Sequence, residues 1–383
     1  MLRIDGPWLR YGATVDREPA PEGATAAAQV RQWLALHPVP TGRQLAEAGL
    51  VAPNWPRPWG LDAGPGEQLA IDDELSRAGV IRPDNRIGNG WAGPTLIHAG
   101  TKSQKERYLF PMLAGEEIWC QLFSEPDAGS DLASLSTRAI RDGDDYVVDG
   151  SKIWTSGAHG AKFGILLART DPKAPNAKGI SYFICPMDAP GVTVRPIRDM
   201  TGAHLFNQVF LDGVRLGREM LVGREHQGWA LAKVTLANER VSLSRSGVLW
   251  GAGPSVDDLV DQVRSRGGEQ DPVLRQRLAQ AWSEGRILAA LRLRMLDGAL
   301  RGDQAGVEAS VAKALSDRHG QVVTNLALDL SGTAALIRAE EPGWPATWTG
   351  AFLFSPALTI GGGTAEVQRD IIAERALGLP RSR

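Results

Sequence analysis

Residues 121–133 read Gln121-Leu122-Phe123-Ser124-Glu125-Pro126-Asp127-Ala128-Gly129-Ser130-Asp131-Leu132-Ala133, and the chain changes character across them. Upstream, apolar residues recur at helical intervals: Val30, Trp33, Leu34 and Leu36 in one stretch, Leu69, Ile71, Leu75 and Ala78 in another. A short helical run follows at 104–114, and Pro/Gly segments such as Trp55-Pro-Arg-Pro-Trp-Gly divide these pieces. Downstream the texture is that of strands. Tyr146-Val-Val-Asp follows a turn-rich loop, the apolar run Phe163–Ala168 reads as a strand, and Ile180–Cys185, Val192–Ile197 and Val209–Val214 continue the pattern. Gly and Pro punctuate it at intervals typical of an antiparallel barrel or sandwich.

Beyond about residue 226 the helical spacing returns, at 226–249, 272–300, 304–331 and 364–377, with 264–271 reading as a surface loop. The expectation is an α+β chain with a helical N-terminal domain (1–119), a central antiparallel β domain (120–225) and a C-terminal helical domain (226–383). A length of 383 residues suits two or three domains at roughly 100–200 residues each. With 43% hydrophobic and 22% charged residues, a mainly disordered chain is excluded. The net charge of -2 shows no basic excess, so nucleic acid is not expected as a main partner. Cys120 and Cys185 cannot form a disulfide framework, and neither they nor the six histidines stand at metal-ligand spacing, so no metal is expected. Residues 1–12 lack a signal-peptide core, and no apolar run approaches the roughly 20 residues of a membrane span. A cytoplasmic location is therefore expected.

Two segments carry chemistry. In 121–133, Ser124 offers a hydroxyl at a strand end. Gly129 allows close backbone approach, and Ser130 adds donors suited to phosphate. In Gly150-Ser-Lys-Ile-Trp-Thr-Ser-Gly-Ala-His, Trp154 is flanked by the hydroxyls of Thr155 and Ser156, an arrangement that suits a planar ring such as a flavin. Each alone is also an ordinary loop or a core tryptophan. Together and in this order they resemble the acyl-CoA dehydrogenase family of flavoproteins. So do Gly93-Pro-Thr-Leu-Ile-His-Ala-Gly-Thr-Lys-Ser-Gln-Lys-Glu-Arg-Tyr-Leu-Phe-Pro-Met-Leu-Ala-Gly-Glu and Val209-Phe-Leu-Asp-Gly-Val-Arg-Leu, followed by Gly223 and Gly228-Trp229.

The resemblance implies a helical, β and four-helix domain order with FAD between the β domain and the C-terminal helices. It implies an acyl-CoA substrate oxidised to the 2,3-enoyl thioester, an electron-transfer flavoprotein or similar acceptor, and an oligomer. By motif match, Phe123, Ser124, Gly129, Ser130, Trp154 and Ser156 would contact the cofactor. Ser130 would also lie near substrate.

Such an oxidation needs a carboxylate to take the α-proton while hydride leaves the β-carbon. Many members carry it in a Tyr-Glu-Gly-Thr motif. Here that run is Ile360-Gly-Gly-Gly-Thr-Ala-Glu, and Gly362 stands in the glutamate's place. Thr364 reads as a helix N-cap, and it and Glu366 are assigned to cofactor contact. A minority of members place the base on the first long C-terminal helix, where Leu236-Ala-Asn-Glu-Arg brings Glu239 to the matching position. Trp229, Ala232, Leu236, Glu239 and Leu243 step by three or four, so Glu239 interrupts an apolar face. Desolvation there would raise a carboxyl toward neutral pH. Glu239 is assigned as the base, and Arg240 to helices or substrate.

Members of the family also lend an Arg-x-x-Phe-Gly group and a glutamine to a neighbour's FAD. Here those regions read Gln262-Val-Arg-Ser-Arg-Gly-Gly-Glu and Asp329-Leu-Ser-Gly-Thr. That pattern is similar to subunits of heteromeric acyl-CoA dehydrogenases acting on steroid side chains, which places a heteromer beside a homo-oligomer using Arg264 or Arg266 instead. Two other readings share the resemblance: a catalytically reduced partner subunit, and a member recruited to other flavin chemistry.

Overall fold

The computed structural model describes residues 21–175, 177–243, 253–301, 307–336 and 347–380. The described residues form two compact units, one up to Pro83 and one from Asp84 onward. In the first, helices α1 (Pro21–Leu36), α2 (Gly42–Glu47) and α3 (Pro65–Arg77) enclose Val30, Leu45, Leu50, Ile71 and Leu75. Thr41 starts α2 with a capping box: its hydroxyl accepts from Gln44 N, and the Gln44 side chain accepts from Thr41 N. Leu36, counted into the apolar stripe of α1, instead projects into solvent, because the turn that faces the core ends at Val30 and the half-buried Trp33 and Leu34.

The second unit opens with a π-helical turn at 88–92 that runs into α4 (Gly93–Ala99), then α5 (Lys102–Leu113). Eight strands follow: β1 (Trp119–Leu122), β2 (Arg138–Asp142), β3 (Asp145–Ser156), β4 (Phe163–Arg169), β5 (Ile180–Pro186), β6 (Val192–Ile197), β7 (Phe206–Leu216) and β8 (Leu221–Val222). They form one sheet in the order β6-β7-β3-β2-β4-β5-β8, with β1 beside β4. The pairing is antiparallel except at β4, which takes β1 in parallel and meets β2 in parallel at Arg138 and Arg169. Strand β1 enters from α5 rather than from a hairpin, and only a hairpin turn obliges neighbours to run in opposite directions. Strands β4 and β5 are buried along almost their whole length and read as continuous apolar runs, whereas β7 alternates. Cys120 and Cys185 are both buried in this core, and burial pushes both thiols up.

The remaining helices are α6 (Gly228–Leu243), α7 (Val256–Ser265), α8 (Pro272–Leu300), α9 (Glu308–Ser331), α10 (Trp348–Phe354) and α11 (Ala365–Arg375). Four of them were expected from periodicity, although 244–249 and 304–306 of the expected stretches lie outside the described residues. Helices α7 and α10 are additional, and both are too short for a sustained period. A capping box does mark α7: Ser255 Oγ accepts from Asp258 N at 3.2 Å, and the Asp258 carboxylate accepts from Ser255 N at 2.7 Å. Because α7 ends at Ser265, the loop foreseen at 264–271 begins two residues later. Among the described residues no helix is long and apolar enough to cross a membrane, and no group of three or more His, Cys, Asp or Glu could hold a metal.

Candidate active site

The two chemistry-bearing segments are hydrogen-bonded into one surface. Ile153 N donates to Ser124 O at 2.9 Å, and Lys152 Nζ donates to Phe123 O at 3.0 Å. Lys152 is fully buried and pairs with Glu125 at 2.7 Å. Glu125 also accepts from Ser136 N, Ser136 Oγ and Thr137 N at 2.7, 2.8 and 3.0 Å. Burial alone would raise the Glu125 carboxyl, but the Lys152 ammonium and these donors override it and hold it at about 2. Burial lowers the lysine to about 8 against the opposing pull of Glu125. The pair thus fixes the chain on both sides of Ser124.

Past Lys152 the ladder between β3 and β7 breaks register and resumes at Thr155. Within that bulge Trp154 takes a left-handed backbone with φ 59°, unusual for a bulky residue, and its side chain stands 58% exposed. Phe206 braces the indole edge-on at 5.9 Å, and Phe206 itself stacks on Phe354 of α10 at 6.4 Å. The exposed ring therefore lies where the sheet meets the C-terminal helices. Thr155 is buried, and its hydroxyl has no hydrogen-bond partner. Asn207 anchors the Thr155 carbonyl at 2.9 Å and meets His159 Nδ1 at 3.3 Å. Ser156 is half-buried, while Gly129 and Ser130 are exposed on the rim. A Cβ on Gly129 would meet nothing within 4 Å, so its own chain does not require the glycine. An open indole face, a donor-rich rim and a spare buried hydroxyl fit a planar, phosphate-bearing cofactor.

Helix α6 brings in the carboxylate. Gly228 lets its first turn lie on β5, because a Cβ there would come 2.5 Å from the Ser181 carbonyl carbon. The helix is then locked by Thr235 Oγ1, which bonds Thr95 Oγ1 at 2.8 Å and the Tyr182 hydroxyl at 3.0 Å. The buried face is centred on Ala232, Thr235 and Glu239, with Trp229 and Leu236 half-buried at its flanks. A purely apolar stripe misses Thr235, whose hydroxyl bonds the Leu231 carbonyl one turn back at 3.1 Å as well as Thr95 and Tyr182 on other elements. Glu239 is 6% exposed and accepts a hydrogen bond from Gln121 Nε2 at 3.2 Å. Gln121 lies on β1, two residues before Phe123. Glu239 is thus hydrogen-bonded to the strand that leads into Phe123 and Ser124, and Ser124 to the strand that carries Trp154. The Arg240 side chain lies outside the described residues.

Thr364 and Glu366 stand apart, at the start of α11, which packs on α9. Thr364 caps that helix by accepting from Val367 N, and Glu366 is exposed beside Arg369 at 3.5 Å. Gly362 and Gly363 have φ of 67° and 88°, and Gln368 donates to both carbonyls. A glutamate at 362 would therefore be strained as well as absent. Asp329 is paired with Arg277 at 2.7 Å, and Arg264 with Asp261 at 3.4 Å. Gln121, Lys152, Glu125 and Asn207 were not foreseen as site residues. For the first three the available signals were an amide in an apolar strand and two charges inside motifs read for their aromatic, hydroxyl and glycine residues; Asn207 carried none.

Three family models match the chain: the acyl-CoA dehydrogenase N-terminal domain at residues 14–116, the middle domain at 120–214 and the C-terminal domain at 226–377. Acyl-CoA dehydrogenase FadE34 of Mycobacterium tuberculosis is 43% identical over 94% of the chain, which spans 48% of that relative's length. Acyl-CoA dehydrogenase IpdE1 of the same organism is 38% identical, over 88% of the chain and 87% of the relative. Among solved structures, the Tcur3481-Tcur3483 steroid ACAD superposes with a TM-score of 0.77 at 33% identity, over 96% of this chain and 99% of that one.

Proposed function

The chain belongs to the acyl-CoA dehydrogenase family, and from that premise we propose that it converts an acyl-CoA thioester to its 2,3-enoyl form with Glu239 as the base. The observation that carries the assignment is the pairing of a buried carboxylate on α6 with the strand leading into Phe123 and Ser124, while position 362 is a glycine in left-handed backbone. FAD supplies the hydride acceptor in this reading. Glu239 takes the proton from the α-carbon, the C–H electron pair becomes the new double bond, and hydride leaves the β-carbon. Burial of Glu239 excludes bulk water from that transfer. Phe123, Ser124, Trp154 and Ser156 hold the flavin ring, and Gly129 and Ser130 admit the phosphates. Ser130 and Arg240 contribute to the thioester site. Thr364 and Glu366 touch the cofactor from α11. An electron-transfer flavoprotein or similar carrier accepts the electrons. Replacing Glu239 is the direct test.

The strain at Trp154 supports the flavin assignment. A left-handed non-glycine residue costs of order 1–3 kcal/mol, and the single edge contact with Phe206 returns about 0.5–1.5 kcal/mol. Trp154→Asn keeps a residue that tolerates this backbone. Its melting temperature without flavin should therefore stay within a few degrees of the parent's, while flavin affinity drops at least tenfold by titration. A large loss of stability with unchanged affinity would assign the indole to packing instead.

We propose further that the acyl group is a steroid side chain and that the active form is a heteromer with a related subunit. The steroid enzyme pair named above supports both. So does Asp329: where family members offer a glutamine to a neighbour's FAD, this carboxylate would repel phosphate, and it is already engaged by Arg277. Purified alone, the chain should carry well under one FAD per subunit, and co-expression with its partner should restore the full ratio. A homo-oligomer holding a full complement of tightly bound FAD would overturn the heteromer.

A further inference from the structure

Gln121 places an amide in a strand whose other members, Trp119, Cys120 and Leu122, are all buried and non-ionised. Its Nε2 donates to Glu239 Oε2 at 3.2 Å. Its Oε1 is buried and meets no hydrogen-bond donor. An ionised carboxylate can only accept, so an amide facing it must turn its N–H edge toward it and leave its acceptor edge to the apolar side. A buried acceptor without a donor costs free energy, and an apolar residue would serve β1 better as packing. The amide is accounted for by what it does to Glu239.

We propose that Gln121 is the positioning residue for the proton-abstracting carboxylate. A glutamate side chain turns about three bonds, and a carboxylate held through one oxygen has its plane and reach set. The anchor lies on the strand that continues into Phe123 and Ser124, so the orientation of Glu239 is referred to the surface that holds the flavin ring rather than to α6 alone. This inference rests on the assignment of Glu239 as the base. Gln121 touches neither substrate nor cofactor in it and acts through Glu239.

The test uses the FAD-loaded protein, with its cognate subunit where loading needs one, and two variants, Gln121→Met and Gln121→Leu. The probe is whichever thioester, in a series from butyryl-CoA to a steroid side-chain CoA, reduces the parent's flavin fastest. Single-turnover flavin reduction should slow by about 10–100-fold, the scale of loss for a misplaced reacting group. Half-saturating thioester concentration and flavin content should stay within about twofold, and the melting temperature should fall by no more than a few degrees, since a buried carboxylate loses one donor while β1 loses an unpaired acceptor. A purely structural tie between β1 and α6 predicts the reverse, a lower melting temperature with lost flavin, and that result overturns the proposal. So does a reduction rate within about threefold of the parent in both variants. Glu239→Gln is measured alongside. If it retains the parent rate, the base assignment fails and takes this inference with it. If it is inactive while both Gln121 variants are fully active, only the positioning role fails.

Discussion

Glu239→Gln should lower turnover by at least about a hundredfold, the low end for loss of a general base, while fold and flavin content stay as in the parent. The substitution keeps the shape of the side chain. Its amide oxygen still accepts from Gln121 Nε2, so the contact between α6 and β1 survives. What disappears is a basic oxygen, and among the residues assigned to the site no second carboxylate stands ready. Glu366 is exposed on α11 beside Arg369, and Gly362 offers no side chain. Glu239→Asp keeps the base but withdraws it by one methylene, and should lose less than the glutamine variant while still falling well below the parent. Both are measured with the cognate subunit present, so that an inactive partner chain is not mistaken for a disabled enzyme. Near-normal turnover of Glu239→Gln in that complex would reject the assignment and favour a reduced, structural subunit.

Lys152→Met should destabilise the fold by about 3–5 kcal/mol, the cost of stranding one member of a buried ion pair. Lys152 is fully buried and Glu125 nearly so, with side chains 0% and 3% exposed. Removing the ammonium leaves a carboxylate among backbone donors that were arranged for an ion. Removing both charges, as in Lys152→Met with Glu125→Leu, should recover much of the loss, because the desolvation penalty goes with them. Acid sensitivity follows from the same pair. The Glu125 carboxyl is depressed from 4.5 to about 2, so its contribution is fully present above the higher value and is lost as pH falls toward the lower one. The parent should therefore lose stability steeply across that window. Lys152→Met, lacking the main charge that depresses Glu125, should lose less there. Denaturant unfolding of the three proteins at neutral and acid pH reads both effects. A Lys152→Met loss below about 1 kcal/mol would show that water reaches the pair and that it does not clamp the Ser124 turn.

The order helix, sheet, helix was legible in the sequence because it rests on period alone. Apolar residues three or four apart mark the helices now seen as α1, α3, α6, α8 and α9, and the turn-separated runs mark β3 to β7. Residue type likewise marked Glu239 as a carboxylate on a helical face that the structure buries, and Gly362 as a position with no side chain to act as a base. Other features depend on partners distant in sequence, and no local pattern encodes those. The parallel docking of β1 on β4 joins residues about forty positions apart. Thr235 looks like a polar fault in a helix, and beyond its local bond to Leu231 O only the fold ties it to Thr95 and Tyr182. The left-handed turn of Trp154 is imposed by a register break against β7, since an isolated chain would relax it. Glu239 meets Gln121 across 118 residues, and only the fold could bring that amide to that carboxylate. Local chemistry therefore determined which groups this protein possesses. The tertiary structure decided which of them face one another, because hydrogen bonding, burial and strain depend on neighbours in space.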